Sequence, residues 1–146
     1  MQRVSVWAIG LVITVGLFTA EQGYAQEPIC NAATLKGRYL FSGIATTLPP
    51  AVTEQSQLAF AGYHIFNGDG TGTDVVTTTQ NGVISEENTV IPITYTVNAD
   101  CTGTYSLPEG LSFGIFVAPT GEELSVIGTT PGFVLVQGQN RRVSPE

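Results

Sequence analysis

A chain of 146 residues with a formal net charge of −7 is long enough for one domain and too acidic to hold a nucleic acid or an anionic membrane surface. Beyond residue 25 the only lysines and arginines are Lys36, Arg38, Arg141 and Arg142, too few to neutralise a row of phosphates. Two cysteines and one histidine fall short of a four-ligand zinc site, so no metal and no cofactor is expected.

Residues 1–3 carry one positive charge, residues 4–20 are continuously apolar, and residues 21–25 form a short polar stretch ending Gly23-Tyr24-Ala25. This is the pattern of a secretory signal peptide cut after Ala25, which leaves 26–146 as a single secreted or periplasmic domain. A retained anchor needs roughly 20 apolar residues, so no membrane association is expected after cleavage. Cleavage removes the only Trp, Trp7, and the only Met, Met1. In an oxidising compartment the isolated pair Cys30 and Cys101 reads as a disulfide. The loop it closes, about 70 residues, corresponds to about 4 kcal/mol in the chain-entropy account. A redox pair would instead sit two residues apart.

Asn31 is placed to cap a single helical turn over residues 30–35, the only helical signal in the chain. The first strand covers 37–48, with Tyr39 and Phe41 on one face and Leu40 and Ser42 on the other. Pro49-Pro50 closes it. Residues 58–66 form the second strand, with Leu58, Phe60, Gly62, His64 and Phe66 in one phase. Asn67-Gly68-Asp69-Gly70 turns the chain into a third strand over 72–79, and Gln80-Asn81-Gly82 turns it again. Residues 83–85 begin the return. Residues 89–97 form a strand in which Pro92 demands an edge, a bulge or a strand start. Shorter strands follow over 103–107, 111–117, 123–128 and 133–136, the last running on toward 143. Residues 111–117 are apolar on both faces, the pattern of a strand covered on two sides. About eight short strands at ten-residue spacing predict an all-β antiparallel meander, closed as a barrel or folded as a sandwich.

Three motifs carry chemistry on paper. Residues 67–74 place oxygens at positions 1, 3 and 5 of a calcium-loop pattern, but position 12 is Thr78 where a bidentate Glu is needed. A Gly-rich hairpin accounts for the same residues. Gly110-Leu111-Ser112-Phe113-Gly114 matches a nucleophile elbow, which requires a strand-to-helix turn that this β chain lacks. Glu86-Glu87 and Glu122-Glu123 are neighbours whose side chains point to opposite faces of a strand, so neither is a carboxylate dyad. His64 is the group suited to acid/base or pH-sensitive work if it faces a barrel lumen. Phe41, Phe60, Phe66, Phe113 and Phe116 are candidate lining residues.

Three stretches carry a resemblance: residues 30–41 (Cys30-Asn31 through Tyr39-Leu40-Phe41), residues 66–72, and residues 94–104 with Asn98-Ala99-Asp100-Cys101-Thr102-Gly103-Thr104. They resemble a group of small bacterial secreted proteins in which a Cys precedes a Gly-x-Tyr strand and a second Cys lies in an Asn-x-Asp-Cys-Thr-Gly-Thr turn. That group is similar in fold to allene-oxide-cyclase-like and dirigent-like β-barrels of the broad calycin kind. No catalytic residue of the cyclases matches by motif, so none is carried over. The leading expectation is a non-enzymatic exported barrel binding a small apolar ligand, with His64, Tyr39, Tyr95 and Phe66 as candidate contacts. An isomerase or cyclase acting on a hydrophobic substrate, and a structural protein with a filled interior, are the alternatives.

Overall fold

Inward apolar and outward polar side chains alternate along this chain, and Gly and Asn turns interrupt them, so antiparallel strands are the outcome. The computed structural model describes residues 29–144; the expected signal peptide lies outside the described residues. A 3₁₀ turn (Ala32–Thr34) precedes eight strands: β1 (Lys36–Thr47), β2 (Ser56–Asn67), β3 (Thr71–Gln80), β4 (Val83–Val97), β5 (Thr102–Ser106), β6 (Ser112–Val117), β7 (Glu123–Gly128) and β8 (Phe133–Ser144). They follow chain order around a closed barrel in which β1 pairs with β8. The barrel form of the expected fold is therefore the one adopted, and the sandwich is not.

Two strands differ from expectation. Residues 83–85 and 89–97 belong to one strand, β4, which passes through Pro92 without a break. Tyr95 N–H donates toward β3, to Gly70 O at 2.8 Å. By alternation, position 92 therefore faces the β5 side. Pairing with β5 begins only at Thr94, so the missing N–H of Pro92 leaves no ladder bond unmade. Residues 111–117 were expected to be covered on both faces. In β6, Phe113, Ile115 and Val117 point inward, while Phe116 is 59% exposed on the outer wall. Phe116 consequently lines nothing.

One end of the barrel is plugged. Leu35, Tyr39, Phe66, Ile93, Tyr95, Ile115, Val117 and Leu124 form its core. Phe66 meets the edges of Tyr39 and Tyr95, with ring centroids 5.3 and 4.9 Å apart, the geometry aromatic rings prefer. The 3₁₀ turn lies against this core, capped by Asn31, whose Oδ1 accepts from Ala33 N–H at 2.9 Å. Gly121, in the β6–β7 turn, packs so tightly on that turn that a Cβ would come within 2.1 Å of Thr34 O. Two further turns at this end share a pattern, Asn-x-Asp-x-Thr. Asp69 Oδ1 accepts from Thr71 N and Oγ1 at 2.9 and 2.7 Å, and Asp100 Oδ1 accepts from Thr102 N and Oγ1 at 3.1 and 2.7 Å. Those hydrogen bonds hold both carboxyls below the usual carboxylate range. The Cys30–Cys101 disulfide ties the 3₁₀ segment to the second of these turns.

The opposite end is open. The β3–β4 hairpin turns at Asn81 and Gly82, both with positive φ, the requirement of a tight two-residue hairpin. Near mid-barrel, Gly62 gives β2 its curvature: a Cβ there would lie 2.0 Å from Val75 O. The seam between β7 and β8 is short, with Glu123 opposite Arg141 and Leu124 opposite Asn140. Past those pairs the regular pairing stops, and the strands meet again beside their connecting turn, where a Cβ on Gly128 would lie 2.9 Å from Phe133 O.

Replacing Cys30 and Cys101 together by Ser is expected to lower the unfolding free energy by about 4 kcal/mol while the β-sheet circular dichroism persists. Urea unfolding midpoints of the two proteins measure the difference.

Candidate functional site

The turn at Asn67-Gly68-Asp69-Gly70 sets the β2–β3 register, and that register places His64 directly opposite Asp74. Both point inward, because His64 shares the phase of Phe60 and Phe66 on β2. Asp74 shares the phase of Gly72 and Val76 on β3. Their side chains hydrogen-bond, His64 Nδ1 to Asp74 Oδ1. The second carboxylate oxygen, Oδ2, accepts from the hydroxyl of Tyr105 on β5. His64 Nε2 lies 2.8 Å from Oδ1 of Asn140 on β8. His64, Asp74 and Asn140 are each about 95% or more buried. Both ring nitrogens thus face oxygens, Nδ1 that of Asp74 and Nε2 that of Asn140.

Aromatic rings enclose this polar layer. Phe41 stacks on the His64 ring at 4.1 Å between centroids, and Tyr105 meets its edge at 5.3 Å. Burial pushes the Tyr105 phenol strongly upward, and the adjacent Asp74 carboxylate adds to it. Tyr105 is thus held as a neutral donor.

Asp74 and Tyr105 of this polar layer form the floor of a cavity of about 550 Å³ that opens at the unplugged end. Its wall is apolar, formed by Phe41, Leu58, Phe60, Val76, Ile91 and Phe113, with Asp74 and Tyr105 at the base. Thr78, Gln80, Glu86 and Glu109 ring the mouth. A smaller pocket of about 60 Å³ lies beside the floor, between His64, Asn140, Val126, Leu135 and Gly138. Val126 borders it from β7, and Leu135, Gly138 and Asn140 border it from β8. The two spaces share Phe41, Phe60, Tyr105 and Phe113.

Of the candidate contacts, His64 borders the small pocket and touches the larger cavity only through its partner Asp74. Tyr39, Tyr95 and Phe66 do not border it; they belong to the plug. Tyr39 is fully buried and donates to Gly121 O. The Tyr95 hydroxyl lies 3.0 and 2.9 Å from the carbonyls of Ala32 and Leu35 and accepts from Gly68 N–H at 2.9 Å. Both hydroxyls are engaged by backbone, and burial raises both phenols. Of the five candidate phenylalanines, Phe41, Phe60 and Phe113 line the cavity.

Sequence reasoning does not reach Asp74 or Asn140 as site residues, and it offers Tyr105 only as one of four tyrosines, with Tyr39, Tyr63 and Tyr95, of which one or two could present a hydroxyl to a ligand. Asp74 had a usable signal, since counting back from the hairpin turn pairs it with His64. It was instead grouped with the calcium-like loop. In the structure the oxygens of that loop diverge: Asp69 turns onto Thr71, and Asp74 points into the barrel. Asn140 gave no readable signal. It lies in the polar stretch Gln137-Gly138-Gln139-Asn140-Arg141-Arg142, and a register shift between Ile44 and Ala45 inserts one extra residue in β8. That extra residue moves the inward phase from Phe133 and Leu135 to Gly138 and Asn140.

Ser112, in the elbow-like motif, is the first residue of β6, with its hydroxyl 3.2 Å from that of Ser106. Among the described residues no three His, Cys, Asp or Glu side chains converge as a metal site would require. No helix among them is long and apolar enough to cross a membrane. Comparison with protein-family models, with curated proteins and with solved structures gives no match.

Two outcomes follow. Asp74→Ala leaves His64 and Tyr105 buried without their acceptor and is expected to cost roughly 3–5 kcal/mol, read as a lower urea midpoint. Tyr39, Tyr95 and Tyr105 ionise more readily unfolded than folded. Their neutrality therefore contributes stability in full below the ordinary phenol value of about 10, and that stability is lost as pH rises beyond it. Phenolate absorbance of these three should appear together with unfolding in an alkaline titration. Early, non-cooperative ionisation of all the tyrosines would contradict it.

Proposed function

We propose that this protein is exported and that its barrel takes up one small, largely apolar molecule through the open mouth. The observation that carries this reading is a lumen of about 550 Å³ with aromatic and aliphatic walls and a buried polar floor. That volume falls in the range of small-molecule sites, and a few placed polar groups among apolar walls is their usual composition. Export is supported by the leader-like segment over residues 1–25 and by the disulfide, a bond typical of oxidising compartments.

A second reading is an isomerase or cyclase acting on a hydrophobic substrate in the same lumen. It is favoured by the buried His64–Asp74 pair, of which Asp74 borders the lumen. The likeness to allene-oxide-cyclase-like and dirigent-like barrels belongs with this reading. It stands as analogy of fold, which does not carry function with it.

The neutral dye N-phenyl-1-naphthylamine should bind the purified protein with one-to-one stoichiometry and brighten on binding. Leu58→Trp, which places a large ring at the mouth, should weaken that binding by about tenfold or more, equivalent to about 1.4 kcal/mol. Its melting temperature should stay close to that of the parent. Dye binding that ignores the substitution would place the site elsewhere. Native mass spectrometry of protein from its own host separates the two readings: a ligand retained unchanged supports uptake, and a converted one supports catalysis.

A further inference from the structure

We propose that the lumen selects its occupant by charge: an apolar body that ends in a cation, such as a long-chain ammonium, with the charged end resting at the mouth beside Glu86 and Glu109. The inference rests on the lumen-binding reading and assigns the chemical class of the ligand.

Charge is divided unevenly between the two ends of the barrel. Lys36 and Arg38 open β1, and Arg141 and Arg142 lie near the end of β8, so all of them stand toward the plugged end. There Lys36 packs beside Gly68, Arg38 lies over the Tyr63 ring at 4.5 Å, and Arg142 N–H donates to Glu122 O at 2.7 Å. The same end carries Asp69, Asp100, Glu122 and Glu123, so the two signs balance. The open end carries Glu54, Glu86, Glu87 and Glu109, and no lysine or arginine among the described residues. Like charge gathered round the opening of a low-dielectric cleft draws cations toward it and repels anions.

Two of these carboxylates border the cavity itself, Glu86 from β4 and Glu109 from the β5–β6 turn. Thr78 on β3 lies opposite Glu86, and its hydroxyl donates to Glu86 Oε2 at 3.4 Å. That contact keeps the carboxylate against the cavity wall. Asp74 on the floor and Thr78 at the rim are four residues apart on β3, which corresponds to about 10 Å of barrel axis at the usual strand rise and tilt. An extended alkyl chain of that length reaches from the floor to the level of Glu86. Its body lies along Phe60, Val76 and Phe113, and its end lies among carboxylates.

The same lining disfavours other ends. A carboxylate would meet Glu86 and Glu109 with no lysine or arginine in the cavity wall to receive it. An alcohol finds Thr78, Gln80 and Ser85 at the mouth and gains no charge attraction. A bare metal ion needs more oxygens than are gathered there, since no three acidic, His or Cys side chains converge among the described residues.

The test uses the full chain expressed with its own leader and three probes that displace N-phenyl-1-naphthylamine, each below its micelle-forming concentration: decylamine, decan-1-ol and decanoate. At neutral pH and low ionic strength decylamine is expected to bind about fivefold more tightly than decan-1-ol, and decanoate about fivefold more weakly. In about 1 M salt, where the Debye length is about 3 Å, both ratios should move toward one. In the double variant Glu86→Gln/Glu109→Gln they should also approach one, with decan-1-ol affinity within about twofold of the parent. Both side chains are exposed, and Gln keeps an oxygen for the Thr78 hydroxyl, so the fold is retained. Glu122→Gln/Glu123→Gln makes the same change in net charge at the plugged end and should leave the ratios within about twofold of the parent. Decylamine binding no tighter than decan-1-ol, a preference for decanoate, ratios untouched by the rim substitutions, or an equal response to the plugged-end substitutions would each overturn the inference while leaving the lumen reading intact. Failure of the dye and all three probes to bind would overturn the lumen reading and this inference with it.

Discussion

A carboxylate in the middle of an aromatic barrel is tolerated only when its charge and both oxygens are matched, and Asp74 imposes that condition on the whole interior. Isolated burial of such a group is so costly that it would neutralise or drive the strands apart. Here the match comes from three other strands. His64 on β2 faces one oxygen and Tyr105 on β5 the other, and Asn140 on β8 holds the far side of the imidazole. A slip of one residue in any of these strands would turn its partner outward. The network thus fixes the register of strands that lie as far apart as residues 64 and 140. It also fixes the orientation of the His64 ring, which Phe41 then covers by stacking.

The plugged end has a different task. Its tyrosines act as cross-braces: the hydroxyl of Tyr39 reaches the β6–β7 turn, and that of Tyr95 reaches both the 3₁₀ segment and the β2–β3 turn. The repeated Asn-x-Asp-x-Thr turns hold their own shape through side-chain hydrogen bonds, and the first is also tied to the core through Gly68 N–H and the Tyr95 hydroxyl. The disulfide then fastens the 3₁₀ segment onto this scaffold. With polar tips, aromatic bodies and one covalent tie concentrated at one end, nothing comparable among the described residues closes the other. The asymmetry gives the barrel a single direction of access along its described residues.

Much of the architecture was legible because strand alternation and turn chemistry are local. Asn31 capping, the Asn-Gly turns and the phase Leu58-Phe60-Gly62-His64-Phe66 each read directly from neighbouring residues, and the Cys30–Cys101 pairing followed from there being only two cysteines. The site was less legible because it is assembled from four strands whose inward phases must be known together. Tyr39 and Tyr95 look like Tyr105 in sequence. All three sit on inward faces, and only the axial height of each along the barrel decides whether its hydroxyl meets backbone or the polar floor. Asn140 was hidden by the extra residue in β8, a bulge opposite Ile44 and Ala45 that alternation cannot foresee. Phe116 misled for the opposite reason: a hydrophobic outward residue reads as covered until the neighbouring layer is seen to be absent.

Stability alone does not account for the polar floor. Replacing a buried charged network by apolar residues of similar volume is often neutral or stabilising, and an eight-stranded barrel has just enough interior to be filled by side chains. This one fills its plugged half that way and leaves the other half open. Phe41, Phe60 and Phe113 have apolar area still facing the cavity, and removing that area from water is worth about 25 cal/mol per Å² to any apolar occupant. The wall therefore supplies affinity without direction. The floor adds little to that, because the oxygens of Asp74 are already matched by His64 and Tyr105.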